Sequence, residues 1–343
     1  MRPTVKRKKF DHLENSMSKR LIVHIGANKT GSSAVQRFLS MNSLALRAEG
    51  IIVPDDEFRI ADKIQGHHVF GFQELLKNSS EGRKQLEDAI DAVDLASPRA
   101  TAIVLSAENL TANPAAPSLF EGLAKRFDIE VIVYIRRQDE YILSSWQQWY
   151  SKIWVDFWAW VISVVGVLGD WRAYLENWET IIPREKITVR IFERSKLEGG
   201  DVIADFYSML GISKPLSALA YPKGTVNPSF SDAVMDLVKG NELIFRNVHD
   251  NDFYNFVVKM TGDKFMKSAR QSSISISQRQ SIIRRYKQQN DWIKKAYFPH
   301  IEGELFSPPK ERDYDYVSPD DIDQQKLEFL TSILYQMYKS GMN

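Results

Sequence analysis

The stretch HIGANKTGSS, residues 24–33, places glycines, one lysine and several hydroxyl side chains within ten positions. It follows an apolar run and precedes the amphipathic segment AVQRFL, so it is predicted to join a β-strand to a helix. The glycines let successive backbone N–H groups face one point, where Lys29 adds a positive charge. The hydroxyls of Ser32 and Ser33 and the N–H groups of the first helical turn converge there too. The predicted chemistry is the binding of a phosphate or sulfate group.

The order of residues in this loop differs from that of a nucleoside-triphosphate P-loop. That motif reads G-x-x-x-x-G-K-[ST], with the lysine directly after the second glycine. Here Lys29 precedes Gly31 in the order G-x-x-K-T-G-S-S, so the triphosphate motif is absent. Taken alone, the loop is also compatible with an ordinary strand-to-helix turn that is closed by a serine N-cap.

A second candidate anion site follows the apolar run IEVIVYI (129–135). This run ends at Arg136, and a helical pattern begins directly after it. Ser144 lies about two helical turns further on, so its hydroxyl and the Arg136 guanidinium can share one oxyanion. Two anion sites at the carboxyl ends of strands in one sheet predict a ligand with two separated phosphates. The alternative is that Arg136 pairs with Asp139 or Glu140 and that Ser144 is a packing residue.

Short β-branched runs alternate with helical patterns and predict the elements that position these residues. Continuous apolar strands of this kind are typical of a parallel sheet that is covered on both faces. The order βαβα predicts an α/β fold, a three-layer αβα sandwich around a parallel sheet. Ligands of such sheets bind at the carboxyl ends of the strands, where both candidate sites lie. The predicted strands are LIVHIG (21–26), IIV (51–53), TAIVLSA (101–107), IEVIVYI (129–135) and ITVRIF (187–192).

Helical patterns lie between these strands and continue after them. From Ser229 onward the chain is helical, without a further convincing strand, which predicts a helical C-terminal part packed on the same domain. We therefore predict a basic flexible tail at 1–18, an α/β core at 19–228 and a helical part at 229–343. The predicted helices lie at about 32–47, 82–96, 117–127, 139–152, 170–181, 200–211, 229–248, 277–297 and 319–340.

Composition and charge exclude several classes of function. Lysine and arginine total 45 against 44 acidic residues, so no global field draws the chain to nucleic acid or to an anionic membrane. Cysteine is absent, which excludes disulfides, thiolate metal sites and a cysteine nucleophile, and which fits a reducing compartment such as the cytoplasm. The N-terminal segment has five basic residues among its first nine but no apolar signal-peptide core behind them.

The most apolar segment, Ile153 to Gly169, is too short for a comfortable membrane span and contains Asp156. It predicts a buried or pocket-lining helix and no transmembrane segment, and peripheral membrane contact stays open. Aromatic residues at helical spacing in and before this segment fit either core packing or the stacking faces of a carbohydrate site. They are Trp146, Trp149, Tyr150, Trp154, Phe157, Trp158 and Trp160.

The chain resembles the sulfotransferases that use 3'-phosphoadenosine 5'-phosphosulfate, particularly their bacterial and carbohydrate-directed branch. Three segments carry the resemblance: LIVHIGANKTGSSAVQRFL, IEVIVYIRRQDEYILSSWQQWYSK and ITVRIFERSKLEGGDVIADFYSMLGI. It covers about residues 20 to 230 and implies the P-loop NTPase-like sulfotransferase fold, with no metal required. In that family the first loop binds the 5'-phosphosulfate, and an arginine and serine pair binds the 3'-phosphate. The residues thus implied are Lys29, Thr30, Gly31, Ser32 and Ser33 for the former and Arg136 and Ser144 for the latter.

Two further positions bear on this resemblance. Ala34 stands where members that act on small phenols and steroids usually have a tryptophan that stacks on adenine. This difference leaves the residue that stacks on adenine unidentified, and it argues against membership of that branch. The loop YPKGTVNPSF (221–230) resembles a later donor-contact loop of the family, with Lys223 as a candidate 3'-phosphate ligand.

Sulfuryl transfer requires stabilisation of the leaving group and a base for the attacking group. Lys29 is predicted to stabilise the charge on adenosine 3',5'-bisphosphate as it leaves. Glu108, at the end of the third strand, is one candidate base, and the pair His67 and His68 is the other, because family members use either residue type. His24, inside the first strand, is predicted to be a core residue. Two adjacent histidines without a third ligand predict no metal site.

The resulting hypothesis is an enzyme that transfers a sulfuryl group to a hydroxyl or amine of a glycan or glycolipid. Two alternatives remain open at this stage. One is a kinase or NTPase of the same sheet type, which needs magnesium ligands and a lysine after the second glycine. The other is a protein that binds the donor nucleotide without catalysis.

Overall fold

A computed structural model describes residues 18–222, 230–266 and 271–341 of the chain. At its centre is a five-stranded sheet in which every neighbouring pair of strands is parallel. All five predicted strands are present, which confirms the α/β class. They are β1 (Arg20–His24), β2 (Ile51–Ile52), β3 (Ala102–Ser106), β4 (Asp128–Ile135) and β5 (Ile187–Ile191). Their order in the sheet is β2-β3-β1-β4-β5.

Seven helices accompany this sheet between residues 18 and 222. Several agree with the predicted helices to within a few residues, and the fifth lies inside the segment Ile153 to Gly169, for which a buried or pocket-lining helix was predicted, whereas the short second helix has no counterpart in the sequence prediction. They are α1 (Ser32–Ala48), α2 (Val69–Leu75), α3 (Ser79–Ala96), α4 (Gln138–Gln148), α5 (Phe157–Val164), α6 (Trp171–Glu179) and α7 (Val202–Met209).

Both faces of the sheet are buried under helices. Ile22 of β1 packs in one cluster with Phe38 of α1 and Phe206 of α7. Val23, which points to the opposite face, belongs to a second cluster that includes Ile90 of α3 and residues of α6. Burial on both faces explains why the strands are continuously apolar. The three-layer αβα sandwich is thereby confirmed.

The C-terminal part is helical, as predicted. It divides into α10 and α11, which pack on the α/β part through Ile282 and Ile293, and a separate cluster formed by α8, α9 and α12. Its helices are α8 (Asp232–Val238), α9 (Asp252–Thr261), α10 (Ile276–Arg285), α11 (Lys287–Tyr297) and α12 (Pro319–Ser340).

Some elements differ from the sequence prediction. The predicted helix at 117–127 is instead two 3₁₀ turns, Pro117–Phe120 and Leu123–Lys125. The predicted helix at 277–297 is broken at Tyr286, whose buried hydroxyl accepts from the Gly166 N–H (2.8 Å) and thereby ties this point to the chain before α6. These tertiary contacts outweigh the local helical pattern.

The expectation that no strand follows Ser229 is wrong in one detail. Two short strands, β6 (Gln271–Ser272) and β7 (Asp315–Tyr316), pair in parallel as a separate small sheet. Two-residue strands leave no periodic pattern that could have predicted them. The predicted basic tail, apart from Ser18, and the candidate ligand Lys223 lie outside the described residues.

Candidate functional site

Three strand ends lie side by side at the carboxyl edge of the sheet. β1 runs between β3 and β4. Residues 25–31 follow β1, Glu108 lies two residues after β3, and Arg136 directly follows β4. The loop after β1 therefore lies between Glu108 on one side and Arg136 on the other, at the edge where parallel α/β sheets bind ligands.

The loop after β1 curls through three residues with positive φ. Gly26, Lys29 and Gly31 have φ angles of 35°, 65° and 85°. At Gly31 a Cβ atom would approach the side chains of Phe192 and Val202 to 3.0 Å, so both the backbone and the available space require glycine. Lys29 adopts the left-handed region without being glycine, at a cost of about 1–2 kcal/mol. Such local strain is often found at functional sites.

The threonine and the serines of the loop have different roles. The buried Thr30 hydroxyl donates to the Ala27 carbonyl (2.6 Å) and accepts from the Ala27 N–H (3.2 Å), so it closes the turn. Gly31 precedes the first residue of α1, without a side-chain cap, and Ser32 and Ser33 form the start of the helix. The Ala34 N–H donates to the Gly31 carbonyl (2.9 Å), whereas the N–H groups of Ser32 and Ser33 precede the first helical hydrogen bond, which leaves these two for an anion.

The Lys29 side chain reaches the end of α4. Its Nζ donates to Oε1 of Gln148 (2.5 Å), while Nη1 of Arg136 donates to the Lys29 carbonyl (2.9 Å). Burial and the positive charge of Arg136 lower the pKa of Lys29 to about 8. Gln148, which the sequence pattern did not single out, lies four residues after Ser144. The two residues therefore share the face of α4 that contacts the loop.

Arg136 lies against the loop and is held there by α4. Its Nη2 donates to Oε2 of Glu140 (3.0 Å), and its guanidinium lies 5.7 Å from the centre of the Phe192 ring. The ion pair considered as an alternative at the sequence level is thus present, together with the contact to the loop. Ser144 is half-buried on α4. The structure brings the Arg136 guanidinium to the Lys29 carbonyl, and Ser144 lies on α4, the helix that follows Arg136.

Glu108 is anchored to the helix that follows the loop. It begins a 3₁₀ turn, Glu108–Leu110, and its Oε2 accepts from Nε2 of Gln36 (2.5 Å). Gln36 is buried on α1, one turn after Ser32. The sequence pattern did not single out Gln36, although its spacing of four from Ser32 places it on the same helical face.

The predicted histidine pair lies beside β3. His68 is fully buried, stacks on Phe58 with ring centres 5.6 Å apart, and accepts from the Ser106 N–H at Nδ1 (3.1 Å). Burial lowers the pKa of His68 to about 4. His67 is half-buried beside it. An imidazole with a lowered pKa is a weak base, and its enclosure keeps it from an acceptor, which favours Glu108.

His24 lies beneath the loop, inside β1. It is fully buried, and its Nδ1 is 2.8 Å from the Ser106 hydroxyl. Burial lowers the pKa of His24 to about 3. A Cβ atom on Gly26 would lie 3.1 Å from Cε1 of this ring, so the histidine supports the loop from below. This environment agrees with the predicted role as a core residue.

The aromatic residues after α4 divide into a buried and an exposed set. Trp146 and Trp160 pack together with ring centres 5.4 Å apart and are core residues. Trp154 and Trp158 each expose more than a third of their surface. A cavity of about 190 Å³ lies against Trp146, Trp158, Gln147, Asp232 and other residues between α4, α5 and α8.

Two other kinds of site are absent from the described ranges. Among residues 18–222, 230–266 and 271–341, no three histidine, aspartate or glutamate side chains come together in a group that could hold a metal ion. In the same ranges, no helix is long and apolar enough to cross a membrane.

Comparison with known proteins finds similarity both in sequence and in structure. No family model matches the chain. An uncharacterised protein of Archaeoglobus fulgidus is 26% identical over 171 residues, which are 49% of this chain and 46% of that protein, so the chain spans about half the length of this relative. The crystal structure of a sulfotransferase from Alicyclobacillus acidocaldarius aligns with a TM-score of 0.36 and 13% identity, over 60% of this chain and 85% of that one.

Proposed function

We propose that the chain transfers a sulfuryl group from 3'-phosphoadenosine 5'-phosphosulfate to a hydroxyl or amine of a glycan or glycolipid. The supporting observation is the arrangement of three strand ends. The loop with Lys29 and the first turn of α1 lies between Arg136 on one side and Glu108 on the other. This arrangement offers two neighbouring cations, Lys29 and Arg136, for a bisphosphorylated donor and a carboxylate on the opposite side of the loop for an acceptor.

The proposed chemistry assigns one role to each of these side chains. Transfer breaks the S–O bond to the donor phosphate, forms an S–O or S–N bond to the acceptor, and releases the acceptor proton. Lys29, with its pKa near 8, stabilises the negative charge on the departing phosphate and is also able to give up its proton there. Glu108, held by Gln36, takes the acceptor proton. His68 remains the second candidate for that base.

The remaining donor contacts follow the resemblance to the sulfotransferases. We assign the 5'-phosphosulfate to the N–H groups and side chains of residues 29–33 and the 3'-phosphate to Arg136 and Ser144. On the acceptor side, the exposed rings of Trp154 and Trp158 suit a sugar face, which supports a carbohydrate acceptor. A cytoplasmic location stays a prediction from the absence of cysteine.

The donor assignment is tested by calorimetry with adenosine 3',5'-bisphosphate. We expect the unaltered protein to bind it, and Lys29→Ala and Arg136→Ala each to weaken binding at least about tenfold, because each removes a charge-assisted contact. Both variants should also lose sulfuryl transfer. Lys186→Ala and Arg184→Ala are matched controls, since these residues lie in the turn before β5. This turn is at the amino ends of the strands, away from the candidate site at their carboxyl ends.

Absence of bisphosphate binding by the unaltered protein contradicts the proposal. Tight binding of ATP with magnesium instead supports the kinase or NTPase alternative. Binding of the bisphosphate without any transfer to glycan or glycolipid acceptors supports a donor-binding protein that lacks catalysis.

A further inference from the structure

A cluster of charged side chains joins the donor side of the sheet to the C-terminal helices. We name it the arginine cluster. Three arginines face two carboxylates, so one positive charge is left in excess. Two members are almost completely buried, Asp139 at 0% and Arg279 at 1% exposure. The members are Arg136, Arg137, Asp139 and Glu140 around the start of α4, Arg279 of α10, and Tyr314 just before β7.

The two carboxylate oxygens of Glu140 face different parts of the molecule. Oε2 accepts from Nη2 of Arg136 (3.0 Å). Oε1 accepts from the Tyr314 hydroxyl (2.6 Å) and from Nη1 of Arg279 (2.8 Å). Burial opposes ionisation of Glu140, but the charges of Arg136 and Arg279 outweigh it and hold its pKa well below the usual range of a carboxyl group. Glu140 is therefore an anion that the donor site and the C-terminal part share.

Arg137 and Arg279 bind a second carboxylate, that of Asp139. Nε and Nη2 of Arg137 donate to the two oxygens of Asp139 (2.6 and 3.0 Å), and Nη1 of Arg279 donates to the same group (2.8 Å). The Arg279 guanidinium also lies 3.8 Å from the centre of the Tyr314 ring. Asp139 thus neutralises the inner part of the arginine cluster, whereas Arg136, at its outer end, forms its ion pair with Glu140.

A carboxylate that binds a guanidinium competes with a phosphate for the same N–H groups. Hydrogen bonds to Oε1 draw negative charge toward the C-terminal part and weaken the hold of Oε2 on Arg136. We propose that Glu140 sets the affinity of Arg136 for the 3'-phosphate, and that Tyr314 and Arg279 regulate this affinity by sharing the Glu140 charge. Glu140, Arg279 and Tyr314 are then positioning residues, and the inference rests on the proposed function.

Two substitutions should change the affinity for the bisphosphate in opposite directions. In Glu140→Gln, the single amide oxygen accepts either from Arg136 or from Tyr314 and Arg279, and in both cases the competing charge is gone, so binding of adenosine 3',5'-bisphosphate should tighten about tenfold. In Tyr314→Phe, Glu140 loses a hydrogen bond at Oε1 and holds Arg136 more strongly, so binding should weaken about fivefold. Calorimetry with adenosine 5'-phosphate, which lacks the 3'-phosphate, should show no change in either variant.

A similar glutamate and tyrosine pair provides matched controls. The Tyr297 hydroxyl donates to Oε1 of Glu179 (2.7 Å) and links α11 to the end of α6, on the side from which the chain enters β5. Glu179→Gln and Tyr297→Phe should leave the affinities for both nucleotides unchanged. A general loss of packing between the C-terminal part and the sheet would instead weaken binding in these variants too.

The outcomes separate this inference from the proposed function. If the unaltered protein does not bind the bisphosphate, the proposed function fails and the inference with it. If it binds, but Glu140→Gln and Tyr314→Phe shift its affinity in the same direction, or shift adenosine 5'-phosphate equally, the inference alone is overturned. Should Tyr314→Phe not fold, Glu140→Gln decides, because unchanged or weakened bisphosphate binding in that variant contradicts the proposal.

Discussion

Lys29 combines a strained backbone with a side chain whose charge is easily lost. Its φ of 65° keeps its peptide within the tight loop, and its Nζ is held by Gln148. Burial and Arg136 lower its pKa to about 8, so the amine is mostly charged at neutral pH and loses its proton within the range of ordinary buffers. The proposed role for Lys29 as a ligand of the donor phosphate therefore has a measurable pH signature.

We expect the affinity for adenosine 3',5'-bisphosphate to fall as pH rises above about 8. The ligand favours the charged amine, so above the pKa of the free protein binding must take up a proton, at a cost of up to about 1.4 kcal/mol per pH unit. Calorimetry from pH 7 to 9.5, in pairs of buffers with different ionisation enthalpies, should show proton uptake that rises from near zero toward one per ligand bound.

Lys29→Arg tests whether Lys29 causes this effect. An arginine stays charged across the whole range, so the variant should show no proton uptake and little change in affinity with pH. Lys186→Arg, in the turn before β5, is the control and should retain the behaviour of the unaltered protein. Proton uptake that persists in Lys29→Arg would assign the effect to another group.

At the scale of elements, the sheet order brings the candidate residues together. The β-branched runs were sufficient to predict all five strands and the loop after β1, because continuous apolar runs between turn residues have few other interpretations. The placement of β1 between β3 and β4 was not predictable in the same way. Strand order depends on how helices pack across the two faces, and that order makes Glu108 and Arg136 neighbours of one loop.

The polar residues that support the site were harder to predict than the residues they support. Gln36 and Gln148 are ordinary helix formers, and in the sequence they look like solvent-exposed positions. Their roles depend on partners 72 and 119 residues away in the chain, Glu108 and Lys29. The Glu140 ion pair was predictable as a local i,i+4 contact with Arg136, but the contribution of α10 to it was not.

The contact between α1 and the turn after β3 leads to a prediction about the base. In Glu108→Gln, the amide oxygen can still accept from Gln36, so the turn should keep its place while its proton acceptor is lost. We expect turnover to fall about a hundredfold or more, with the affinity for adenosine 3',5'-bisphosphate unchanged. Steady-state kinetics and calorimetry on the same sample measure the two quantities.

A glutamate in a similar setting serves as the control for this variant. Glu185 lies in the 3₁₀ turn Arg184–Lys186 before β5, so Glu185→Gln should leave turnover unaffected. Full turnover in Glu108→Gln would exclude Glu108 as the base. A loss of turnover in His68→Gln, with the fold and bisphosphate affinity retained, would then assign that role to His68.

At the scale of the whole molecule, α11 of the C-terminal part and the sheet share their interior. Ile293 of α11 packs in the same cluster as the sheet residues. The Gln138 and Asn290 side chains exchange two buried hydrogen bonds (2.7 and 3.2 Å) between α4 and α11. We propose that residues 19–228 and 229–343 form one folding unit, since breaking these contacts would leave buried amides and charges without partners.

The α/β part encloses two buried histidines, and they predict how the stability of the molecule depends on pH. Burial lowers the pKa of His24 to about 3 and that of His68 to about 4, whereas both titrate near 6.5 in an unfolded chain. Below pH 6.5 the unfolded chain thus binds protons that the folded chain does not. The free energy of unfolding should fall by about 1.6 kcal/mol per histidine between pH 6.5 and pH 5.

Urea denaturation at intervals between pH 5 and pH 7 measures the slope of the free energy of unfolding against pH. In His68→Phe, the new ring can still stack on Phe58, but the hydrogen bond from the Ser106 N–H is lost. The variant should bind about one proton on unfolding where the unaltered protein binds two. The slope, rather than the absolute stability, is the quantity to compare, because the substitution also changes packing. His249→Gln, at an exposed position, should leave the slope unchanged. An unaltered slope in His68→Phe would mean that His68 gains its proton in the folded protein as readily as in the unfolded chain.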